Sequence, residues 1–322
     1  MQSAKTPVSK LIKLCQGTSK WWRAYKAEAI IVLVGLALVN AIFIPKAFRQ
    51  STTVNPEAAA QLGSFVGGYF GAIFALTGIV LLFSTLKAQQ LASALQNFET
   101  KYFELIKMHR DNVAEVEIQG VSGRKVFVLL LRELRCILGI VRQLAKTSEL
   151  ELTKRALLHI AYYCLFYGVG PNSSRMLKKS LFMFDPAFVD ALEEELNKPE
   201  VKQKFKSERN LGYIPFEGHQ SRLGHYYRHL YQMIGYVDQQ IFDINKYEYV
   251  KTIRAQLSTH EQALLLVNTL TPLGTNWWRK GLIVNYRLVQ NIPQEFFDSS
   301  TEIDATALFG PEYFEWQEAN QA

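Results

Sequence analysis

The decisive stretch of this 322-residue sequence runs from Leu62 to Leu86 and reads LGSFVGGYFGAIFALTGIVLLFSTL. It carries no charged side chain along its whole length. At about 1.5 Å rise per residue, a helix of this length crosses the roughly 30 Å hydrocarbon core of a bilayer. The stretch therefore predicts a transmembrane helix.

A second apolar run lies upstream, from Ala29 to Ile44, and reads AIIVLVGLALVNAIFI. It is shorter than the usual span of about 20 residues, but the aromatic residues before it suit the membrane interface. A signal peptide is the alternative, yet Pro45 and Lys46 follow the run where a small-residue cleavage site belongs. We therefore expect two spans, at about residues 27–45 and 62–86, that form an N-terminal hairpin.

The orientation of this hairpin follows from its flanking charges. Six basic residues and no acid precede the first span: Lys5, Lys10, Lys13, Lys20, Arg23 and Lys26. The connector between the spans holds only Lys46 and Arg49 against Glu57. The positive-inside rule then predicts that the N-terminus and, after two crossings, the C-terminus are both cytoplasmic.

The net charge of +7 reflects that leader, because the rest of the chain holds 30 basic against 29 acidic side chains. We read the basicity as a signal of topology and of the membrane surface, and we expect no direct nucleic-acid binding. The cysteines Cys15, Cys136 and Cys164 form no C-x-x-C motif. They are expected to be reduced and buried, without a disulfide, metal or cofactor.

Small residues recur every four positions in the second span, at Gly63, Gly67, Gly71 and Ala75. Such a stripe lets the backbone of a neighbouring helix approach closely. The neighbour is either the first span of the same chain or another subunit, and both readings stay open. Asn40 in the first span is expected to hydrogen-bond between helices, since an unpaired amide is costly in hydrocarbon.

No helix breaker follows the second span, so we expect one continuous helix to leave the membrane. Its apolar seam is predicted to pack on the cytoplasmic domain and comprises Leu91, Leu95, Phe98, Tyr102 and Leu105. Helical periodicity then predicts further helices at Arg124 to Lys146, Glu149 to Tyr167, Ser174 to Phe184, Pro186 to Asn197, Val201 to Arg209, Arg222 to Phe242, Tyr247 to Leu270 and Asn276 to Val289.

The predicted fold is all-α, with no convincing strands: an N-terminal two-helix transmembrane hairpin followed by an α-helical cytoplasmic domain. Its parts are a basic cytoplasmic leader (1–26), the hairpin (27–87), a helix extending from the membrane (88–119), the helical cytoplasmic domain (120–297) and an acidic tail (298–322). The tail holds apolar residues that can dock on the helical body, namely Leu308, Phe309, Tyr313, Phe314 and Trp316.

Histidines concentrate in the segment GHQSRLGHYYRHLYQMIGYVD. His225 and His229 stand one helical turn apart, but there is no H-E-x-x-H motif and no third ligand, which disfavours zinc. Arg222 and His229 also match the R-x(4–6)-H pattern of HEPN-type ribonucleases, with histidine as base and arginine on the phosphate. Arg254 and His260 also match this pattern, which shows that it arises easily by chance. We favour a structural role inside a helical bundle, and no enzymatic activity.

Several segments together resemble the phage abortive infection proteins of bacteria. They are GSFVGGYFGAIFALTGIVLLFSTLKAQ, FETKYFELIKMHRDNV, LGHYYRHLYQMIGYVD, YVKTIRAQLSTHEQALLLVNTL and LIVNYRLVQNIP, between about Gly63 and Pro293. The resemblance implies an effector in the bacterial inner membrane that harms or arrests the infected cell. It also implies a sensing or inhibitory partner encoded nearby, for example a reverse transcriptase with its nucleic acid, as in retrons. The matching motif residues are His225, Tyr226, Arg228, His229, Arg254, Ser258 and Glu261.

Two function classes remain. In the first, the hairpins associate into homo-oligomers in the lipid bilayer and make it leaky when the cytoplasmic domain is triggered. In the second, the hairpin only anchors a HEPN-like ribonuclease. The absence of a basic nucleic-acid surface outside the leader favours the first.

Overall fold

The computed structural model describes residues 53–319 and, before them, Ile30 and residues 33–35, 37, 41, 49 and 50. The leader, Cys15, Asn40 and most of the predicted first span lie outside the described residues. The predicted two-span hairpin therefore stays a prediction. The chain divides into two compact units, residues 1–93 and 94–322, which are described separately below.

In the first unit, the short strands β1 (Arg49–Gln50) and β2 (Thr53–Val54) pair antiparallel. Helix α1 (Pro56–Phe65) starts where it does because the Asn55 side chain accepts hydrogen bonds from the Glu57 and Ala58 amides and Pro56 needs no partner. A π-helical turn (Val66–Phe70) joins α1 to α2 (Gly71–Glu115).

Together these segments form a helix of 60 residues, Pro56–Glu115. Its most apolar window has a mean hydropathy of 2.1 and buries none of its residues. Among the described residues it is the one helix that is long and apolar enough to span a membrane. The predicted second span is thus helical, and the expected continuous helix beyond it is confirmed.

In the second unit, α2 contributes a buried face at Phe98, Tyr102, Ile106, His109 and Val113. The seam expected from the sequence is therefore confirmed at Phe98 and Tyr102, with Leu95 and Leu105 half-buried. The prediction was wrong at Leu91, which is exposed. A two-stranded hairpin of β3 (Glu117–Ile118) and β4 (Val121–Ser122) then leads into α3 (Arg124–Thr147).

The core of this unit is built on α3, which packs most extensively against α4 (Lys154–Tyr167). The remaining helices are α5 (Ser174–Ser180), α6 (Pro186–Asn197), α7 (Pro199–Glu208), α8 (Gln220–Asp238), α9 (Lys246–Arg254), α10 (Thr259–Thr269), α11 (Thr275–Arg279), α12 (Leu282–Asn285), α13 (Ala305–Phe309) and α14 (Glu315–Ala319). Every residue of α10 from Glu261 to Thr269 is buried. The all-α class is confirmed, because the strands are limited to the two short hairpins in the part of the chain that the structure describes.

Two predicted helices are each divided in the structure. The helix expected from Tyr247 to Leu270 breaks into α9 and α10, because Ser258 and Glu261 form a capping box that starts a new helix. The helix expected from Asn276 to Val289 breaks into α11 and α12 at Gly281, whose φ of +67° places it in the left-handed region. In addition, the predicted helix from Ser174 ends at Ser180 and not at Phe184, and the helix predicted from Glu149 begins at Lys154, after the N-cap Thr153.

The acidic tail docks on the helical body, as its apolar residues suggested. Tyr313 and Phe314 are buried. The Tyr313 hydroxyl donates to the Ile283 carbonyl at 2.7 Å and accepts from the Val289 amide at 3.2 Å. Arg135 Nε donates to Glu302 at 2.7 Å, which ties the acidic segment to α3.

Candidate functional site

The small-residue stripe lies on an exposed helix face. A Cβ added at Gly63, Gly67 or Gly71 would meet no atom of the described residues within 4 Å, and Ala75 is exposed. The large apolar side chains around the stripe are also exposed; Leu76, for example, retains 64% of its surface. The face is therefore open and apolar.

The π-helical turn changes how the stripe is arranged. In an α-helix of 3.6 residues per turn, a residue four positions on overshoots a full turn by about 40°, so a four-residue stripe winds around the helix. A π-helical turn has hydrogen bonds from i to i+5 and more residues per turn, so a residue four positions on falls short of a full turn. Because Val66–Phe70 lies between Gly63 and Gly71, it offsets part of the winding and keeps the stripe on one face.

In the second unit, the motif residues of α8 and α10 meet around Glu261. This carboxylate is fully buried and accepts a hydrogen bond from the Tyr226 hydroxyl at 3.0 Å. It also accepts from the Ser258 amide at 2.8 Å and from the Ser258 hydroxyl at 2.6 Å. Arg124 Nε lies 3.7 Å away. Burial, with the neighbouring Glu261, raises the pKa of Tyr226 well above its ordinary value, so the hydroxyl stays a donor.

A pair of histidines adjoins this cluster. The His109 ring from α2 stacks on the His229 ring from α8 and also contacts Tyr226. His229 Nε2 lies 3.1 Å from the Leu105 carbonyl oxygen, whereas both ring nitrogens of His109 are buried and have no hydrogen-bond partner among the described residues. Burial, followed by the charges of His229 and Arg124, lowers the pKa of His109 to about 4. The ring is therefore neutral near pH 7.

The predicted ribonuclease pair is occupied by structural contacts. Arg222 Nε donates to the Glu117 carbonyl at 2.7 Å, and His229 is 7% exposed against Leu105. Both side chains therefore make contacts with the backbone of the second unit. Arg254 is likewise buried and donates to the carbonyls of Tyr286 and Arg287.

The other motif residues lie at the surface. His225 and Arg228 are exposed on α8, and the described residues offer them no hydrogen bond or ion pair. The motif therefore combines an internal part, centred on Tyr226 and Glu261, with an external part at His225 and Arg228.

Sequence reasoning missed a second buried carboxylate, Glu133 on α3. It accepts hydrogen bonds from the Tyr213 hydroxyl at 2.5 Å and the Phe216 amide at 2.7 Å, and His219 Nε2 lies 2.9 Å away. Burial, with Glu133 beside it, raises the pKa of Tyr213. The signal in the sequence was an acid within the apolar run LLLRELRCIL. This cluster fixes the loop before α8.

The cysteines follow the expectation where they are described. Cys136 and Cys164 are buried and unbridged, and burial raises their pKa values to about 11 and about 12. Such thiols remain protonated and unreactive at neutral pH. Within the described part of the chain, no group of three or more His, Cys, Asp or Glu residues is arranged to hold a metal ion.

Comparison with known proteins places these helices in context. A family model described as "Putative phage abortive infection protein" matches residues 218–297, which contain α8 to α12. No curated protein and no solved structure matches the chain. The matched segment includes the Tyr226 and Glu261 cluster and three of the motifs on which the resemblance rests. The predicted resemblance is thereby confirmed over residues 218–297, which are similar to the phage abortive infection proteins.

Proposed function

We propose that this protein is a membrane-anchored effector of bacterial anti-phage defence that associates through its apolar helix and disrupts the inner membrane. The family match supports a role in abortive infection. The observation that carries the mechanism is the open glycine face of the 60-residue helix, with space around Gly63, Gly67 and Gly71. Small residues on an exposed apolar helix are the usual means of close helix packing in lipid.

In this proposal the partner at the glycine face is another subunit. A Cβ added at Gly35, in the upstream apolar run, would lie 3.5 Å from the Phe74 ring. That contact involves Phe74 and leaves the Cβ positions of Gly63, Gly67 and Gly71 free. If the two spans form the predicted hairpin, the first span packs beside Phe74. The small-residue stripe then remains available for contact with another subunit.

The helical domain serves in this proposal as the part that a sensing or inhibitory partner encoded nearby holds or releases, and it performs no catalysis. The contacts of Arg222 with the Glu117 carbonyl and of His229 with the Leu105 carbonyl favour this reading over an anchored ribonuclease. The first unit supplies the membrane activity, and both termini are cytoplasmic.

The experiment that tests the proposal compares membrane potential with RNA integrity in induced bacterial cells. A depolarisation dye is read every minute after induction, and total RNA is sampled at the same times from the same culture. We expect depolarisation to precede any loss of ribosomal or transfer RNA. RNA cleavage in cells that remain polarised would contradict the proposal, and cells carrying the empty vector serve as the control.

A further inference from the structure

A cavity of about 550 Å³ opens on the surface of the second unit, between α8 and the ends of α4, α10 and α11. Its size is typical of sites for small ligands. One wall is a stripe along α8 in which Gln220, Gly224, Arg228 and Gln232 follow one another at four-residue intervals. This side of α8 plays no part in the Glu261 cluster.

Aromatic rings form the inner wall of the cavity. Tyr231 and Trp277 stand perpendicular, with ring centroids 5.0 Å apart, and Tyr227 and Phe166 line it beside them. Trp277 is 3% exposed and Phe166 is buried, so packing holds both rings in place. Flat, fixed rings of this kind stack on the bases of nucleic acids and nucleotides.

Carboxamide groups supply hydrogen bonds at the same cavity. Asn268 is buried and its Nδ2 donates to the Tyr162 hydroxyl at 3.0 Å, while its Oδ1 makes no hydrogen bond within the described chain. Gln220 and Gln232 are exposed and likewise keep both polar atoms free of the described residues. A carboxamide carries a donor and an acceptor side by side, which is the pattern that pairs with the edge of a base.

Positive charge lies at the cavity and is not neutralised there. Arg228 lines it, is exposed, and forms neither an ion pair nor a hydrogen bond with a described residue. Lys280 Nζ lies 5.3 Å from the centroid of the Tyr231 ring. No carboxylate is among the lining residues that the structure describes. A guanidinium in this setting favours an anion, and a phosphate matches its fork of donors.

We infer that this cavity binds a nucleotide of the size of a nucleoside monophosphate. The base lies among Tyr227, Tyr231 and Trp277 with its edge toward the carboxamides, and the phosphate meets Arg228. A purely apolar ligand would leave the carboxamides without partners. The site lacks a phosphate-binding glycine loop, so recognition depends on the base as much as on the phosphate. The inference does not depend on membrane disruption, because binding alone tests it.

Gly224 is a position at which a larger side chain would fill the cavity. A Cβ added there would make an ordinary contact with Phe166 at 3.6 Å, so a leucine side chain would extend into the space that the ligand needs. Leucine is also a better helix former than glycine, which protects α8 from unfolding. Gly235 on the same helix does not line the cavity, and a Cβ added there meets only the end of Gln239 at 3.9 Å. Gly235→Leu is therefore the matched control.

The test is isothermal titration of the full-length protein in detergent micelles with AMP, GMP, CMP and UMP and with the four matching nucleosides. We expect at least one monophosphate to bind with 1:1 stoichiometry, Gly224→Leu to remove the binding, and Gly235→Leu to retain it. Arg228→Gln should weaken the monophosphate at least tenfold and its nucleoside less than threefold, whereas Arg175→Gln, at an exposed arginine outside the cavity, changes neither.

Two results would overturn the inference. One is the absence of binding of every monophosphate at millimolar concentration to protein whose thermal unfolding is cooperative. The other is binding that Gly224→Leu leaves unchanged, since the nucleotide would then lie outside this cavity. Circular dichroism of each variant verifies that helix content is retained.

Discussion

The imidazole rings of His109 and His229 stack with their centroids 5.9 Å apart and their planes at 9° to one another. His109 lies on α2, the long helix, and His229 lies on the family-matched helix α8. The contact joins the two helices inside the second unit. The buried Tyr226 and the nearby Arg124 complete its surroundings. A proton on His109 would meet little water and would lie near the charge of Arg124, which makes the contact sensitive to acid.

The second unit is predicted to become less stable as the pH falls. The pKa of His109 is about 4 in the folded state and near its ordinary value of 6.5 when unfolded, so the unfolded chain binds more protons between these values. The stabilisation is complete above pH 6.5 and is lost as pH falls toward 4, by about 3 kcal/mol at most for a shift of this size. Urea unfolding followed by fluorescence at pH 7.5, 5.5 and 4.5 measures it.

His109→Phe should remove the contribution of His109 and leave that of His159, whose pKa burial also lowers to about 4. His225→Phe changes an exposed ring on α8 and is the control. An unchanged slope in the His109→Phe protein would contradict the role given to His109.

The Glu261 cluster should dominate the stability of α8 and α10. Glu261→Ala removes the carboxylate that accepts hydrogen bonds from the Tyr226 hydroxyl and from the Ser258 amide and hydroxyl, so we expect a loss of about 3 kcal/mol in the free energy of unfolding. Ser258→Ala loses the helix cap and the hydroxyl that donates to Glu261 but keeps the Tyr226 contact, so we expect a loss of about 1 kcal/mol. Glu248→Ala breaks an exposed pair with Lys251 and should cost less than about 0.5 kcal/mol. Equal losses for Glu261→Ala and Ser258→Ala would show that Tyr226 contributes little.

His229→Ala separates a structural from a catalytic role. It removes the contact with the Leu105 carbonyl and the stack on His109, so toxicity and melting temperature should fall together. Loss of a general base would instead cost on the order of a hundredfold to ten thousandfold in rate at unchanged stability. A folded, membrane-inserted His229→Ala protein without toxicity, beside RNA cleavage by the parent, would support the ribonuclease.

The topology prediction concerns the connector between the two expected spans. Because the leader is basic and the connector nearly neutral, a reporter fused at Thr53 should lie outside the cytoplasm and one fused at Ala322 inside it. Paired alkaline phosphatase and green fluorescent protein fusions measure this. A cytoplasmic signal at Thr53 would remove the hairpin.

Local signals in the sequence predicted much of the helical framework. Asp185 and Pro186 mark the start of α6, which the structure places at the expected residues. The same kind of signal is present at Ser258 and Glu261, but the helical period of the flanking residues continues across the break and predicts one unbroken helix. The sequence did not predict the π-helical turn or the contacts of Glu133 with Tyr213 and His219. The Glu133 cluster depends on tertiary packing that joins distant segments, whereas the π-helical turn lies within one exposed helix and has no recognised local signal.

The central claim is that subunits associate through the glycine face and make the membrane leaky. The most direct measurement is release of a self-quenched dye from liposomes of bacterial lipids that contain the purified protein. The Gly67→Leu, Gly71→Leu double variant places bulk on the open face, whereas Ala72→Leu places a leucine about 100° from Gly71 around the helix. We predict release by the parent and by Ala72→Leu and at least a tenfold slower release by the double variant at equal insertion. Equal release by the parent and the double variant would contradict the account.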